Sequence, residues 1–210
     1  VRRHIEEGLM IPLLLLASVS MSSPSAIDAE RAYAAMAQKI GQWSAFRATA
    51  ASHATIFVPD PVDAAGFLKD RKDPPVAVKW QPSESYVSCD GRTAANLGPW
   101  QRPTSVGYFA TIWTRSEGAW RWDLDFGDAL KSAMPPAPAQ VPLRRASCRG
   151  ARPALMPESR AGQKSGRGAS ADHSLEWRWT VEQNGSRRLQ VYLWAGRRYR
   201  LVIDRTIEAE

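Results

Sequence analysis

Between Val76 and Phe126 the chain runs in short stretches of alternating apolar and polar residues, each ending at a turn signal: Pro82, Asp90-Gly91, Arg102-Pro103 and Glu117-Gly118. Alternation with a period of two is the signature of a half-buried strand, and Asp-Gly is a strong hairpin turn because both positions tolerate positive φ. The pattern predicts an antiparallel run: Val76 to Cys89 broken by Pro82, Thr93 to Arg102, Ser105 to Arg115, and Ala119 to Phe126. In the last of these Trp120, Trp122, Leu124 and Phe126 share one face, while Arg121, Asp123 and Asp125 share the other. One face is therefore expected to be buried and the other wet or paired.

The segment before this run is helical. Ile27, Ala34, Ala37 and Ile40 recur at helical spacing, Asp28 and Glu30 favour an N-terminus, and Gly41 divides the segment before Trp43, Phe46 and Ala50 resume it. Two helices are expected, then a short strand at Thr55 to Val58, a stop at Pro59 and Pro61, and a helical turn or two from Asp63 to Lys69.

After the strands the composition changes. Met134-Pro135-Pro136-Ala137-Pro138 opens a stretch rich in Pro, Arg, Gly and Ser that cannot bury a core, so residues 131–171 read as a mobile linker. Beyond it Leu175, Trp177, Trp179 and Val181 alternate with polar residues, Asn184-Gly185 turns the chain, Arg188 to Trp194 returns, and Arg198 to Ile207 adds a third strand. A three-stranded meander is only marginally stable alone and should pack on the main body or extend its sheet. The expected organisation is a leader (1–26), an α+β body (27–130), the linker, and the meander (172–210).

The net charge of +7 has a location. Residues 27–140 carry 12 basic and 12 acidic side chains, whereas residues 141–170 carry seven basic against one acidic. The basicity lies in the linker, so nucleic acid is not an expected partner; contact with an anionic surface is the alternative to a merely solvated segment. Arg2 and Arg3, the apolar run Leu9 to Val19 and the small residues after it have the order of a secretory signal, and the run is too short to span a bilayer. Export to the periplasm or beyond is expected, or a cytoplasmic location if translation starts at Met21. Cys89 and Cys148 are the only cysteines; in an oxidising compartment they form a natural disulfide, and otherwise they are two unrelated thiols. Neither has a second ligand at metal spacing, and no phosphate loop, dinucleotide fingerprint or metal motif occurs, so no cofactor is expected.

Gly98-Pro99-Trp100, Gly107-Tyr108-Phe109 leading to Ile112-Trp113, and Gly118-Ala119-Trp120-Arg121-Trp122-Asp123-Leu124-Asp125-Phe126-Gly127-Asp128, in that order after two helices, resemble the NTF2-like superfamily in its SnoaL-like and DUF4440 branch. The resemblance covers residues 27–128. It implies a cone, a bent antiparallel sheet wrapped around N-terminal helices, whose cavity serves both enzymes and binders. Trp80, Trp100, Tyr108, Trp113 and Trp122 are the expected ligand-binding walls for a small apolar molecule. The similar ketosteroid isomerases place a Tyr on the first helix and an Asp before a Pro after the first strand; here Tyr33 and Asp60 match those places, while Phe126 stands where related chains often carry a His. The resemblance thus implies a cofactor-free ligand binder, with an isomerase or dehydratase using Asp60 and Tyr33, or a structural module dimerising through its sheet, as alternatives.

Overall fold

The computed structural model describes residues 24–154 and 163–209, and in it the protein is a mixed α+β chain built mostly of sheet. The leader expected from the sequence lies outside the described residues up to position 23. Helix α1 (Ala26–Ile40) starts at a reciprocal cap: Asp28 N donates to Ser25 Oγ at 3.2 Å, and Ser25 N donates to Asp28 Oδ2 at 2.9 Å. Gly41 ends it with φ of 102°, and the chain turns at once into α2 (Gln42–Thr49). Asp73 holds that corner by accepting from Ser44 N at 2.9 Å, and a Cβ on residue 41 would meet its carboxyl group at 2.2 Å. Only glycine satisfies both the backbone angle and the space.

The remaining elements of the body are β1 (Ala50–Phe57), β2 (Pro61–Asp63), α3 (Ala64–Leu68), β3 (Lys79–Trp80), β4 (Glu84–Val87), β5 (Thr93–Arg102), β6 (Ser105–Ser116) and β7 (Ala119–Leu130). With β8 (Leu143–Arg145) they form one sheet in the order β2, β1, β7, β6, β5, β4, β8, with β3 paired to β5. All pairs are antiparallel except β1 with β7 and β4 with β8. The second sheet comprises β9 (Lys164–Ala169), β10 (Leu175–Val181), β11 (Arg187–Trp194) and β12 (Tyr199–Ile207), in the order β12, β11, β10, β9.

The structure corrects two sequence expectations about this region. The segment read as a mobile linker supplies β8 to the first sheet and β9 to the second, so the meander becomes a four-stranded sheet. Gly166 and Gly168 on β9 lie against the rings of Trp179 and Trp177, which leave no room for a Cβ. The glycines that made this segment look structureless are what allow the indoles to lie across it.

The larger sheet is buried on both sides. On the helix side Tyr33, Phe46, Ile56, Leu68, Phe109, Trp113 and Trp122 form one core. On the other side Leu97, Tyr108, Ile112, Leu124 and Phe126 pack with Leu175, Trp177, Leu189, Val191 and Ile203 of the second sheet. The outer face, on which the sequence placed self-association, is thus covered by the chain's own C-terminal strands. Trp122 and Leu124, read as neighbours on one face, belong to opposite cores. The cause is a bulge: Trp113 pairs with Trp122 but Ile112 pairs with Leu124, so Asp123 is an extra residue and the alternation inverts across it.

Cys89 and Cys148 are joined in a disulfide with Cα atoms 5.2 Å apart, fastening the turn after β4 to the segment after β8. Among the described residues no helix is long and apolar enough to cross a membrane. Because one core draws residues from both sheets, Leu189→Ala should cost ~2–5 kcal/mol. Urea unfolding monitored by far-UV dichroism and by tryptophan fluorescence should shift together; separate transitions would show that the sheets unfold independently.

Candidate functional site

A cavity of about 370 Å³ opens on the helix side of the large sheet, between α2, β1, β3 and the strands β5, β6 and β7. Its walls are mainly aromatic: Trp43, Phe46, Trp80, Trp100 and Phe109 border it from the helix side, and Phe57 and Tyr108, whose rings pack toward the second sheet, also reach it. Gly107 makes one wall possible. It is the register partner of Trp100, and a Cβ there would stand 2.3 Å from the indole ring, so glycine lets that ring lie flat across β6. Arg102 and Ser105, at the two ends of the β5–β6 turn, border the cavity, with the Arg102 guanidinium 5.7 Å from the Trp100 ring centre.

The polar part of the site comes from one row across three strands. Asn96 on β5, Thr111 on β6 and Asp125 on β7 are register partners, and α1 lays Glu30 over them. Glu30 is fully buried and accepts three hydrogen bonds, from Trp80 Nε1 at 2.8 Å, Trp113 Nε1 at 2.6 Å and Asn96 Nδ2 at 3.2 Å. Burial pushes its carboxyl up to about 7, against the opposing pull of those donors. Asp125 is also pushed up to about 7, first by desolvation and then by the charge of Glu30. Unlike Glu30, Asp125 lies on the cavity wall and keeps partial access to solvent through it. Thr111 also lines the cavity, is 1% exposed, and its Oγ1 has no hydrogen-bond partner among the described residues.

Of the aromatic walls expected from the sequence, Trp80, Trp100 and Tyr108 line the cavity, whereas Trp113 and Trp122 do not. Trp113 is committed to Glu30, and Trp122 donates from Nε1 to the Phe46 carbonyl at 3.1 Å; both are core residues. The catalytic pair drawn by resemblance does not assemble. Asp60 is exposed in the Pro-flanked turn between β1 and β2 and takes no part in the cavity lining. Tyr33 packs its ring among Phe46, Trp80 and Trp113, with centroids 4.9, 4.8 and 5.7 Å away, and is likewise not a wall. Burial, and then the charges of Asp125 and Glu30, push its phenol well above the ordinary tyrosine range, so it stays a proton donor at neutral pH.

Sequence reasoning missed Glu30 and Asp125, although a signal for each exists. Glu30 falls on the same helical stripe as Ile27, Ala34 and Ala37, and a charge within an apolar stripe marks a buried, paired group. Asp125 sits on the face read as wet, which is the inner face once the bulge is crossed. Among the described residues no cluster of His, Cys, Asp and Glu could hold a metal ion.

The two raised carboxyls make stability pH-dependent. Each binds its proton more tightly in the native state than at its ordinary value of 3.8 (Asp) or 4.5 (Glu). Their contribution is therefore fully present below those values and is lost as pH rises through about 7. The urea midpoint should fall between pH 5 and pH 8, and Asp125→Asn should remove ~1–3 kcal/mol of that fall. An unchanged slope in the variant would show that Asp125 ionises freely in the native state.

No family model matches the chain, and no curated protein matches it. Among solved structures it is similar to a chain from Exiguobacterium sibiricum described as a Ca/calmodulin-dependent kinase II association domain. The two are 14% identical with a TM-score of 0.35, over 53% of this chain and 99% of the other.

Proposed function

We propose that residues 27–128 form an NTF2-like cone whose cavity binds a small, planar, largely apolar molecule carrying one hydroxyl or similar hydrogen-bonding end. The order of helices and strands, and a sheet whose inner face meets the helices around an open cavity, support the fold assignment. The volume of about 370 Å³ suits a small molecule, and aromatic walls favour a flat one.

The observation that carries the reading is the contrast at one wall. Asp125 reaches the cavity beside Thr111, whose buried hydroxyl has no partner among the described residues, while the surfaces around them are aromatic. A buried polar atom without a partner costs about 1–3 kcal/mol, so a ligand able to bond with Thr111 and Asp125 gains over one that is wholly apolar. The disulfide supports the further reading that the protein is exported, since such bonds persist in oxidising compartments.

The test compares 2-naphthol with naphthalene by tryptophan quenching. Wild type should bind 2-naphthol roughly ten-fold more tightly, the equivalent of ~1.4 kcal/mol for the added hydrogen bonds. Asp125→Ala should erase that preference, and Trp100→Ala should weaken both ligands. Equal affinity of wild type for the two probes would remove the polar anchor from the proposal, and no binding of either would remove the ligand.

A second reading makes the same carboxyl a general base, because a group pushed up to about 7 is well matched to proton transfer at neutral pH. Asp125 then takes the role that the sequence gave to Asp60. Incubation with 2-tetralone in D2O should exchange the α-protons in wild type and not in Asp125→Asn; exchange at the buffer rate in both would leave binding alone.

A further inference from the structure

A cluster of positive charge lies away from the cavity. Arg149, from the segment after β8, meets Arg197, Arg198 and Arg200, from the β11–β12 turn and the start of β12, around a depression of about 730 Å³ that Ser147 also lines. No acidic side chain lines it, and among the described residues none of these four guanidinium groups has a hydrogen bond or ion pair. The two segments are held together by several separate bonds. Ser147 N donates to the Trp194 carbonyl at 2.8 Å, Trp194 Nε1 donates to the Arg149 carbonyl at 2.7 Å, and Cys148 between them is anchored to Cys89. Gly150 lies so close to the turn that a Cβ would stand 2.4 Å from the Gly196 carbonyl oxygen.

Exposed arginines gathered around one depression with no acidic residue among them raise the local positive potential, and an anion that joins them lowers it. We propose that this arginine cleft is a binding site for a phosphoryl-bearing anion of at least two negative charges. A single carboxylate is balanced by one guanidinium, whereas four surround this depression. All the cations are arginine, whose planar fork matches phosphoryl oxygens two at a time, where lysine acts as a point charge. The phosphoryl group could be free in solution or displayed on a lipid headgroup; the chemistry recognised is the same.

The experiment titrates the full disulfide-bonded chain at physiological ionic strength with pyrophosphate, with phosphatidate-containing vesicles, and with heparin. Binding of pyrophosphate points to a soluble ligand, and binding of the vesicles alone points to a headgroup; either supports the site. Arg198→Gln/Arg200→Gln should lower affinity at least ten-fold. Lys164→Gln/Arg167→Gln, which removes the same charge from exposed positions on β9, should lower it less than two-fold. Cys148→Ser, which releases the segment carrying Arg149, should weaken binding while the dichroism spectrum is retained. Equal losses in the two double variants would reduce the effect to general electrostatics and overturn the proposal. So would binding of heparin alone, or of none of the probes at millimolar concentration.

Discussion

A buried carboxylate has to be answered by donors, and the body of this protein is arranged around the answer to Glu30. Three donors from β3, β5 and β6 converge on it from the sheet, and α1 brings it to them. The three bonds together fix how the helix lies on the sheet. That placement puts Tyr33, one turn further along α1, among Phe46, Trp80 and Trp113. Two of the three donors are indoles, so satisfying the carboxylate also orients a cavity wall, Trp80, and a core residue, Trp113.

The bulge at Asp123 distributes what remains. Without the extra residue, β7 would turn Trp122, Leu124 and Phe126 to one side and Asp125 to the other along its whole length. With it, the strand gives Trp122 to the helix core, Leu124 and Phe126 to the core between the sheets, and Asp125 to the cavity. Asp123 itself meets β1, with His53 Nε2 2.9 Å from its Oδ1. One irregularity in register thus supplies two hydrophobic cores and a cavity-facing carboxyl from a single strand.

Local signals carried most of the architecture. The division of α1 from α2 at Gly41, the hairpin at Asp90-Gly91 and the register of β5 with β6 stem from turn chemistry and alternation that any short window shows. The cavity was legible only in part, because alternation says which residues share a face but not where a bulge exchanges the faces. Trp122 and Asp125 were therefore placed by a rule that stops holding between them. Glu30 was read as an N-terminal acid because helix-end preference is a local signal, whereas its three donors lie 50 to 83 residues further along the chain. The strands β8 and β9 were hidden for a related reason: their partners, not their own composition, make them strands.

The covering of the large sheet by the second one also has a temporal side. Its outer face, with Leu97, Ile112, Leu124 and Phe126, is complete once β7 has been made, yet the strands that cover it end at Ile207. A chain emerging in order from its N-terminus therefore carries an oily surface for the whole interval in which residues 131–207 are synthesised, and such surfaces recruit chaperones or self-associate. Closure of the fold is thereby postponed until β12 has been made. The second sheet then acts as a latch, set by its last strand.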